Sequence, residues 1–416
     1  MLYKAPRGTH DVLPSESYKW QYVENAIRTV CRSFGYKEVR VPVFEHTDVF
    51  ERGIGDTTDV VQKEMYTFLD KGDRSITLRP EGTAGVVRCF LEHSLYAEAQ
   101  PIKMYYMMSC YRYEKPQAGR LREFHQFGIE SFGSPSPAND AEVISLAVNL
   151  LKSLKMQDLK LLINSIGCKE CRKVYNTQLI EYFNGHVEEL CGTCNTRLEK
   201  NPMRIMDCKA PVCKEIGEKA PKILYSQCER CGAHFEKLKQ YLDGMGIEYG
   251  IDDTIVRGLD YYTTTVFELK SCGMTICGGG RYNDLVEEFG GTASPGVGFG
   301  MGLERVIMSL EQQGVLPKDE NELTVYVANI GEAADMAAQT LVNDLRLNGI
   351  AAEKDLVGRS FKAQMKYADK AGARFVIVLG DDEIASGKAQ LKDMKTGKKV
   401  EIQLAETARQ ILNVKE

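Results

Sequence analysis

The sequence predicts an α+β protein in two parts: a large region built on an antiparallel sheet with a mostly helical insertion, and then a small α/β unit. Two strand-like runs between Lys103 and Gly133 are joined by the polar loop "KPQAGRLRE", which predicts a β-hairpin and hence an antiparallel sheet. After "GVLPKDENEL", strand-like runs alternate with helical segments, the pattern of a unit with a mostly parallel sheet. We therefore expect a boundary near residue 321, between a region 1–320 and a unit 322–416.

The segments of the first region follow one another as helices and strands. Residues 15–34 have apolar side chains at helical spacing behind Ser15, a plausible N-cap, and a strand containing Pro42 follows Gly35. Because proline lacks a backbone N–H, Pro42 favours a sheet edge or an interface. A strand, a Pro-Glu-Gly turn and a helix are predicted in "RSITLRPEGTAGVVRCFLEH". Strands in "TTTVFEL", "MTICGGG" and "GVGFGMG" precede a closing helix in "LERVIMSLEQQ".

Composition and charge describe an ordinary globular chain, with 43% apolar and 27% charged residues. The formal net charge of -5 provides no global basic field, so any contact with nucleic acid must come from local patches. The start "MLYKAPRGTHDVLP" has no charged segment followed by an apolar run, and runs such as "RFVIVLG" are too short to span a bilayer. We expect a cytoplasmic protein without membrane contact. Its 13 cysteines then predict thiols or metal ligands rather than disulfides.

The hairpin carries the most informative side chains. Since side chains alternate between the faces of a strand, its polar and aromatic groups can converge on one side of the sheet. They are Arg112 and Glu114 on the first strand, Phe124, Gln126 and Glu130 on the second, and Arg120 and Arg122 on the loop. A ring for stacking, guanidinium groups for phosphates and acceptors for an ammonium group suit a nucleotide with a small polar substrate. A solvated hairpin with incidental charges remains the alternative on this pattern alone.

Three further segments suggest ligand contacts. Glu81 and Thr83 lie in the Pro-Glu-Gly turn, which by itself could be a plain turn. "GGGRYNDL" lacks the patterns of a P-loop or a dinucleotide fingerprint, so its glycines predict a close approach of backbone to a ligand. "GVGFGMGLERV" places Arg305 in the first turn of a helix, where a cation opposes the helix dipole. That position predicts an anionic partner such as a phosphate.

Four of these segments resemble the signature segments of the bacterial histidyl-tRNA synthetases, a family of class II aminoacyl-tRNA synthetases. They are "TLRPEGTAG", "YRYEKPQAGRLREFHQFGIESFG", "RGLDYYTTTVFE" and "GVGFGMGLERV". The hairpin resembles class II motif 2, the last segment motif 3 and the Pro42 strand motif 1, while "RGLDYY" is similar to the family's histidine-binding motif. The resemblance spans essentially the whole chain. It implies a class II catalytic domain with an antiparallel sheet, a C-terminal α/β anticodon-binding domain, and a homodimer formed through motif 1.

The resemblance also implies the reaction and its residues. L-histidine would react with ATP and Mg²⁺ to give histidyl adenylate, which is transferred to the 3′ end of tRNA(His). The implied catalytic residues are Arg112 and Arg257, which would stabilise charge on the α-phosphate. The implied histidine-binding residues are Glu81, Thr83, Arg112, Gln126, Glu130, Arg257, Tyr261 and Tyr262, with the imidazole between Glu130 and Tyr262. The implied ATP-binding residues are Arg112, Glu114, Arg120, Arg122, Phe124 and Arg305.

The stretch from Cys168 to Cys231 is mostly helical and holds eight cysteines, so we expect an insertion at about 165–245. Their spacings, three CxxC pairs and one Cys-x4-Cys, suit two closed zinc sites with four thiolates each. The eight residues are Cys168, Cys171, Cys191, Cys194, Cys208, Cys213, Cys228 and Cys231. The alternative is that the cysteines are retained as small buried apolar residues, and Cys208 and Cys213 are the best candidates for this. Zinc is not a general requirement of the resembled family, so both interpretations stay open.

Two sets of residues are candidates for contact with tRNA. Lys362, Lys366, Lys370 and Arg374 recur every four residues, which on a helix makes a basic stripe suited to an RNA backbone. A solvated helix face explains the same pattern, and only the resemblance favours anticodon binding, with Lys362 and Lys366 as candidates. Lys115 and Gln117 on the hairpin loop are candidates for the acceptor end. The family often has arginine at the position of Lys115, and lysine there lacks the bidentate donor that arginine provides.

Two non-enzymatic interpretations compete with the synthetase. A regulatory paralogue of ATP phosphoribosyltransferase would share the catalytic fold, but such paralogues usually lack the C-terminal domain and lose the arginines of motif 2 and "RGLDYY". This chain keeps them all. A stand-alone RNA-binding or signalling protein would not need Arg112, Arg257 and Arg305 together. The sequence therefore favours an enzyme.

Overall fold

The computed structural model describes residues 3–55, 58, 60–256, 259–319 and 323–415, without the side chains of residues 414 and 415. The chain divides into two compact units, Met1–Pro317 and Lys318–Glu416. The helices of the first unit are α1 (Pro14–Ser33), α2 (Thr47–Ile54), α3 (Thr83–Glu92), α4 (Pro137–Ser153), α5 (Lys169–Asn184), α6 (Gly192–Lys200), α7 (Pro211–Lys219), α8 (Glu229–Gly244), α9 (Leu285–Glu288) and α10 (Leu303–Gln313). No helix among the described residues is long and apolar enough to cross a membrane.

An eight-stranded sheet forms the centre of the first unit. Its strands are β1 (Lys37–Glu38), β5 (Ile102–Tyr111), β6 (Glu123–Phe132), β7 (Lys160–Ser165), β8 (Gly250–Ile251), β9 (Thr263–Ser271), β10 (Met274–Arg281) and β11 (Gly296–Gly302). Their order is β1-β5-β6-β11-β10-β9-β7-β8. All pairs from β5 to β7 are antiparallel, and only the two edge strands pair in parallel. The predicted hairpin and antiparallel sheet are confirmed.

The two faces of this sheet bury different cores. On β11 the side chains of Val297, Phe299 and Met301 are buried against a core that includes Ile27 of α1 and Ile144 of α4. The glycines between them face the other side. Tyr106 of β5 and Tyr282 are buried on that other side, together with apolar residues of α3 and of the insertion. The glycine–apolar alternation of "GVGFGMG" thus places bulk on the core face and open space on the site face.

The segment around Pro42 differs from its prediction as one alternating strand. It contains the short β1 and, after Pro42, β2 (Phe44–His46), which joins β3 (Tyr66–Leu69) and β4 (Ser75–Leu78) in a small antiparallel sheet ordered β2-β4-β3. The Val41 and Pro42 carbonyl oxygens instead accept hydrogen bonds from Arg79 at 2.9 and 3.1 Å. β1 does lie at an edge of the large sheet, as expected. The helix α1 begins at Pro14, so Ser15 is not its N-cap, because proline at the first helical position loses no intrahelical bond.

Four helices, α5 to α8, fill the stretch between β7 and β8, which confirms the mostly helical insertion. A short 3₁₀ helix, Pro202–Asp207, lies between α6 and α7, and another spans Ile223–Tyr225. Further single turns are the π-helical segment Val60–Glu64 and the 3₁₀ helix Leu95–Ala97.

The second unit is a five-stranded sheet with helices. Its strands are β12 (Val325–Asn329), β13 (Ala352–Lys354), β14 (Phe375–Leu379), β15 (Lys388–Asp393) and β16 (Lys399–Gln403). Its helices are α11 (Glu332–Leu347), α12 (Phe361–Lys370), α13 (Asp381–Ser386), the 3₁₀ turn Leu404–Glu406 and α14 (Thr407–Lys415). The order is β13-β12-β14-β15-β16, parallel in the first three strands and antiparallel in the last two. The prediction of a mostly parallel sheet therefore missed β16 and the antiparallel edge, which a tight turn held by the Asp393 carboxylate makes possible.

Candidate active site

A cleft of about 580 Å³ opens between the β5–β6 hairpin loop, the ends of β10 and β11, and the first turn of α10. Most side chains that the sequence assigns to ATP line it. They are Arg112, Glu114, Arg120, Phe124 and Arg305, with Gln117 and Gln126 beside them. The cleft thus unites the hairpin with the start of α10, two segments that the sequence could connect only through the resemblance.

Arg112 and Glu114 lie just beyond β5, because the strand ends at the residue before Arg112. The prediction that they share a strand face is therefore wrong. The Arg112 Nε donates a hydrogen bond to the Pro80 carbonyl oxygen at 2.8 Å, and the guanidinium carbon lies 5.5 Å from the centre of the Phe124 ring. Glu114 accepts a hydrogen bond from Arg120 Nη1 at 3.1 Å. These contacts hold two guanidinium groups at the cleft wall, and that of Arg112 lies beside an aromatic ring.

Arg305 lies in the first turn of α10, as predicted. Its Nε donates to the Gly119 carbonyl oxygen at 2.9 Å and its Nη1 to the Thr275 carbonyl oxygen at 2.7 Å, so it bridges the hairpin loop and β10. Burial and the nearby charge of Arg120 lower the pKa of Arg305. An anionic ligand in the cleft would relieve this crowding of cations.

The Pro-Glu-Gly turn is fixed to the hairpin and to the start of α3. The Glu81 carboxylate is buried and accepts hydrogen bonds from the Thr83 and Ala84 amides at 2.8 and 2.7 Å. Burial raises the pKa of Glu81, and these amides oppose the rise. The Gly82 amide donates to Gln126 Oε1 at 3.0 Å. The turn is therefore part of the same site as the hairpin rather than a plain surface turn.

A buried polar pocket lies next to this turn. Glu130 has no exposed surface and accepts hydrogen bonds from the hydroxyls of Tyr282 and of Tyr106, the latter at 3.3 Å. Burial raises the pKa of Glu130 to about 8, although the hydroxyls of Tyr282 and Thr83 act in the opposite direction. The Tyr261 hydroxyl lies 3.5 Å from Thr83 Oγ1. Predicted histidine-binding side chains from three separate segments thus converge on one pocket.

The sequence did not reveal Tyr106 and Tyr282 as members of this pocket. Tyr106 stands opposite Gly128 in the β5–β6 register, and a Cβ at Gly128 would lie 2.3 Å from the Tyr106 ring. Tyr282 directly follows β10 and the glycine-rich run that "GGGRYNDL" begins with. A tyrosine placed against glycines on neighbouring strands is the signal that could have identified both.

The alternating glycines of β11 leave room for the site. A Cβ at Gly298 would lie 2.0 Å from Glu130 Oε2, and one at Gly300 would lie 2.5 Å from Gln126 Nε2. Any larger residue would therefore displace a predicted histidine-binding side chain. The glycines of β11 thus admit side chains of the neighbouring strand. In the "GGGRYNDL" run, a Cβ at Gly279 or Gly280 would lie 2.3 or 2.4 Å from a backbone oxygen of a neighbouring strand, so the close approach of these glycines to a ligand stays a prediction.

Three predicted residues lie elsewhere or cannot be placed. The Arg122 guanidinium carbon lies 3.8 Å from the centre of the Tyr113 ring, and Arg122 does not line the cleft. Tyr262 is buried and contacts the Tyr261 ring at 4.6 Å between centroids, while its carbonyl oxygen accepts from Arg172 at 3.2 Å. Arg257 lies outside the described residues.

The candidates for tRNA contact are exposed. Lys115 and Gln117 are exposed on the hairpin loop, and Gln117 also lines the cleft. In the second unit α12 ends at Lys370, so Arg374 does not continue the predicted stripe; its guanidinium instead lies 4.9 Å from the Phe375 ring centre. The exposed lysines of α12 are Lys362, Lys366 and Lys370.

The eight cysteines of the insertion form two groups of four, and none of the chain's cysteines is in a disulfide. We call Cys168, Cys171, Cys228 and Cys231 the proximal centre, and Cys191, Cys194, Cys208 and Cys213 the distal centre. Within each centre the four sulfur atoms lie within 4.8 Å of one another. Cys208 and Cys213 thus belong to a cluster of thiols rather than standing alone as apolar fillers. Four converging thiols are a donor set that fits tetrahedral zinc.

The chain is similar to known proteins over nearly its whole length. The family model described as "Histidyl-tRNA synthetase" matches residues 8–170 and 211–306, and that described as "Anticodon binding domain" matches residues 324–413. The histidine–tRNA ligase of Acetivibrio thermocellus is 55% identical over 408 residues, covering 97% of this chain and 98% of the relative. That of Clostridioides difficile is 52% identical over 410 residues, covering 97% and 98%.

Solved structures show the same relationship. The apo histidyl-tRNA synthetase of S. aureus superposes with a TM-score of 0.85 at 42% identity, covering 99% of this chain and 100% of that one. A Bacillus halodurans chain described as an ATP phosphoribosyltransferase regulatory subunit/histidyl-tRNA synthetase has a TM-score of 0.66 at 22% identity, covering 91% and 98%. That likeness shows the fold alone. Full-length identity to ligases supports the enzyme over the regulatory paralogue.

An antiparallel sheet with an arginine-lined hairpin cleft, followed by an anticodon-binding domain, defines a class II aminoacyl-tRNA synthetase. The chain belongs to the histidyl-tRNA synthetase family, and as such it is an aminoacyl-tRNA ligase for histidine.

Proposed function

We propose that the cleft and the adjoining pocket activate L-histidine with ATP and then pass the histidyl group to the 3′ end of tRNA(His). The observation that supports this most is the juxtaposition, on one sheet face, of an arginine-lined cleft and a buried polar pocket that share Gln126 as a wall. The first suits a nucleotide triphosphate, and the second suits a small polar side chain.

In this proposal ATP occupies the cleft. Phe124 stacks on adenine, and the guanidinium groups of Arg112, Arg120 and Arg305 bind phosphate oxygens, since planar forks match that geometry. Glu114 orients Arg120. We leave Arg122 out of this set because its guanidinium is on the Tyr113 ring.

Histidine occupies the pocket. Glu130 shares a proton with one imidazole nitrogen, and a tyrosine hydroxyl of Tyr262 or Tyr282 contacts the ring. Tyr261 completes the pocket wall beside Thr83. The acceptors of Glu81, Thr83 and Gln126 bind the ammonium group. A pocket that hydrogen-bonds its substrate rejects analogues without those groups by roughly 10⁴–10⁵.

The first step is an in-line displacement at the α-phosphorus of ATP. A histidine carboxylate oxygen forms a bond to phosphorus while the bond to the bridging oxygen breaks, and pyrophosphate leaves with that electron pair. Arg112, together with Arg257, stabilises the negative charge that builds on the α-phosphate oxygens. In the second step the terminal adenosine hydroxyl of tRNA attacks the carbonyl carbon, AMP leaves, and the phosphate accepts the proton.

Alanine variants of Gln126 and Glu130 test the proton acceptor of the second step. If the phosphate accepts the proton, each variant should slow single-turnover transfer from preformed adenylate by no larger a factor than it slows adenylation. Selective loss of transfer with adenylation intact would instead identify a side chain as the base.

Mg²⁺ fits the carboxylates of the cleft. Oxygen ligands are those that Mg²⁺ prefers, and the cleft is lined by Glu114, Asp207, Glu268 and Glu304. One or two of these carboxylates, together with the phosphates of ATP, would hold the ion, which when bound neutralises charge on the phosphates.

We further propose that each cysteine centre binds one structural zinc ion, away from the reacting atoms. The four converging sulfurs of each centre support this. Metal analysis of protein purified without chelator should find two zinc ions per chain; absence of zinc would refute it.

The remaining assignments follow the family. Residues 1–320 would form the catalytic domain and 322–416 the anticodon-binding domain, with Lys362 and Lys366 as candidates for RNA backbone contact. Lys115 and Gln117 are candidates for the acceptor end. We also propose a cytoplasmic homodimer.

Replacement of Arg112 tests the catalytic assignment. Arg112→Gln should lower kcat for histidine-dependent pyrophosphate exchange roughly 10²–10³-fold, because a preorganised donor to the transition state is lost. Arg28→Gln, which removes a surface pair with Glu24 on α1, is the matched control and should behave as wild type. Equal rates for the two variants would contradict the assignment.

A further inference from the structure

The distal centre joins two helices on either side of a short connecting helix. Cys191 and Cys194 belong to the start of α6, and Cys213 lies in the first turn of α7. The Cys191 amide donates to Cys213 Sγ at 3.2 Å, and the Cys191 and Cys208 sulfurs lie 3.9 Å apart. A metal bound there would close the chain around the 3₁₀ helix Pro202–Asp207.

That connecting helix contacts Asp260, which belongs to the "RGLDYY" segment and directly precedes Tyr261. Arg204 donates to Asp260 Oδ1 from Nη2 at 2.6 Å and from Nε at 3.0 Å, and Asn201 Nδ2 donates to the same oxygen at 3.2 Å. The Arg204 side chain is 11% exposed and that of Asp260 is 27% exposed. Because water is largely excluded from Arg204, this contact is stronger than an ordinary surface pair.

Asp260 is also fixed from the opposite side. Its amide donates to the Ile54 carbonyl oxygen at 3.2 Å. Gly55 has φ +98°, and a Cβ there would lie 2.9 Å from Asp260 Oδ2. Asp260 directly precedes Tyr261 and Tyr262 of the proposed histidine pocket. A displacement of its carboxylate would therefore move the pocket wall.

The proximal centre has a different place in the fold. Cys168 lies just after β7, where the insertion leaves the sheet, and Cys228 directly precedes α8, the last helix of the insertion. Gln227 next to it donates to the Ser165 carbonyl oxygen at 2.8 Å. Loss of the proximal centre would loosen the base of the insertion without acting directly on the connecting helix. The proximal centre is therefore a matched control for the distal centre.

We propose that the insertion positions the histidine-binding loop through the Arg204–Asp260 pair, and that zinc in the distal centre fixes the connecting helix that presents Arg204. Arg204 and Asp260 are positioning residues, since they act through Tyr261 and Tyr262. The proposal rests on the zinc and histidine sites proposed above.

Kinetics of pyrophosphate exchange without tRNA test the pair. Arg204→Met and Asp260→Asn should each raise the KM for histidine by roughly tenfold, as loss of a charge-assisted hydrogen bond does, with kcat and the KM for ATP changing less than about threefold. Arg204→Lys should recover part of the loss. Lys219→Met, which removes an exposed pair on α7, is the control. An unchanged KM in both variants would overturn the proposal.

A double-mutant cycle tests the role of the metal. Cys208→Ser should lose one zinc ion and raise the KM for histidine, whereas Cys228→Ser should lose one zinc ion with a smaller rise. If zinc acts through Arg204, the Cys208→Ser/Arg204→Met double variant should be no worse than the more impaired single variant. Additive effects would overturn the coupling.

The two proposals fail in distinguishable ways. Wild-type protein without zinc refutes the metal sites, while the Arg204 and Asp260 variants still decide whether the insertion positions the loop. If Cys208→Ser does not fold, non-additivity between Arg204→Met and Asp260→Asn supports the positioning contact, and additivity refutes it.

Discussion

Glu130 is a fully buried carboxyl group whose hydrogen-bond partners in the described part of the chain are hydroxyls. Burial raises its pKa to about 8, so before substrate binds it is largely protonated at neutral pH. An unperturbed imidazole side chain has a pKa of about 6.5. Between pH 6.5 and pH 8, Glu130 therefore carries a proton and the imidazole is neutral. The complex of the two groups needs one shared proton, and Glu130 already supplies it.

Histidine should therefore bind most tightly between about pH 6.5 and about pH 8. Above this range the pocket loses the shared proton, and below it the pair carries one proton too many. Calorimetric titrations with histidine across pH, in buffers of different ionisation enthalpy, should show little net proton exchange within the window. Affinity that keeps rising above pH 8 would contradict this role for Glu130.

The same group should make folding stability depend on pH. A carboxyl whose folded pKa is raised from 4.5 to about 8 contributes stability that is complete below its unfolded pKa and is lost as pH rises to the folded pKa. The free energy of unfolding of wild type should fall relative to that of Glu130→Gln by up to about 1.4 kcal/mol per pH unit between those values. Urea unfolding of both proteins from pH 5 to pH 8 measures this; parallel profiles would refute it.

Gly82 shows how a single missing methyl group makes the site possible. A Cβ at Gly82 would lie 2.3 Å from the Tyr106 ring. Gly82→Ala should destabilise the protein by about 1–3 kcal/mol through overpacking, and should raise the KM for histidine by displacing Tyr106. Gly232 in α8 is the control, because nothing lies within 4 Å of its Cβ position and alanine there favours the helix. Thermal denaturation that ranks the two variants equally would refute the packing argument.

At the scale of elements, β10 is fastened to α4 by a buried ion pair. The side chains of Arg281 and Asp140 have no exposed surface, and Arg281 Nη2 lies 2.6 Å from Asp140 Oδ2. Arg281 also donates to the Ser134 and Ser136 carbonyl oxygens. Burial would raise the pKa of Asp140, but Arg281 and His234 outweigh it and lower the pKa. This contact fixes the end of β10 from which Tyr282 reaches Glu130.

Asp140→Asn should therefore cost about 3–5 kcal/mol, because it leaves a buried guanidinium without its counter-charge. The Arg281→Met/Asp140→Leu double variant should recover much of that loss, since no unpaired charge remains. Chemical denaturation distinguishes the outcomes. If the double variant is less stable than Asp140→Asn, the Arg281–Asp140 pair itself stabilises the fold, beyond the cost of leaving one buried charge unpaired.

The sequence predicted elements better than the contacts between them. Alternation and the polar loop were enough for the β5–β6 hairpin, and glycine spacing for β11. The end of β5 was not predictable, because the backbone just beyond it bonds to a segment distant in sequence: the Tyr113 amide donates to the Glu64 carbonyl oxygen at 2.7 Å. Tyr106 and Tyr282 were missed since they meet at Glu130 only after β5, β6, β11 and β10 have assembled side by side in the sheet. Cysteine spacing predicted eight ligands, but only folding divides them between the proximal and distal centres.

At the scale of the whole molecule, each unit has its own buried core. Four ordered motifs carried the resemblance to the synthetase family, and full-length identity to histidine–tRNA ligases confirms it. Motifs of this kind are predictable because the chemistry of adenylation constrains them. Metal content and the positioning role of the insertion are not constrained in that way, and remain proposals that rest on side-chain geometry.

We propose that one pocket, built from the hairpin, the Pro-Glu-Gly turn and the segment of Tyr261 and Tyr262, activates histidine. Exchange of pyrophosphate into ATP, measured without tRNA for each amino acid in turn on the full-length protein, tests it most directly. We predict exchange with histidine and with no other amino acid. No exchange from folded protein, or equal exchange with another amino acid, would contradict the pocket assigned here.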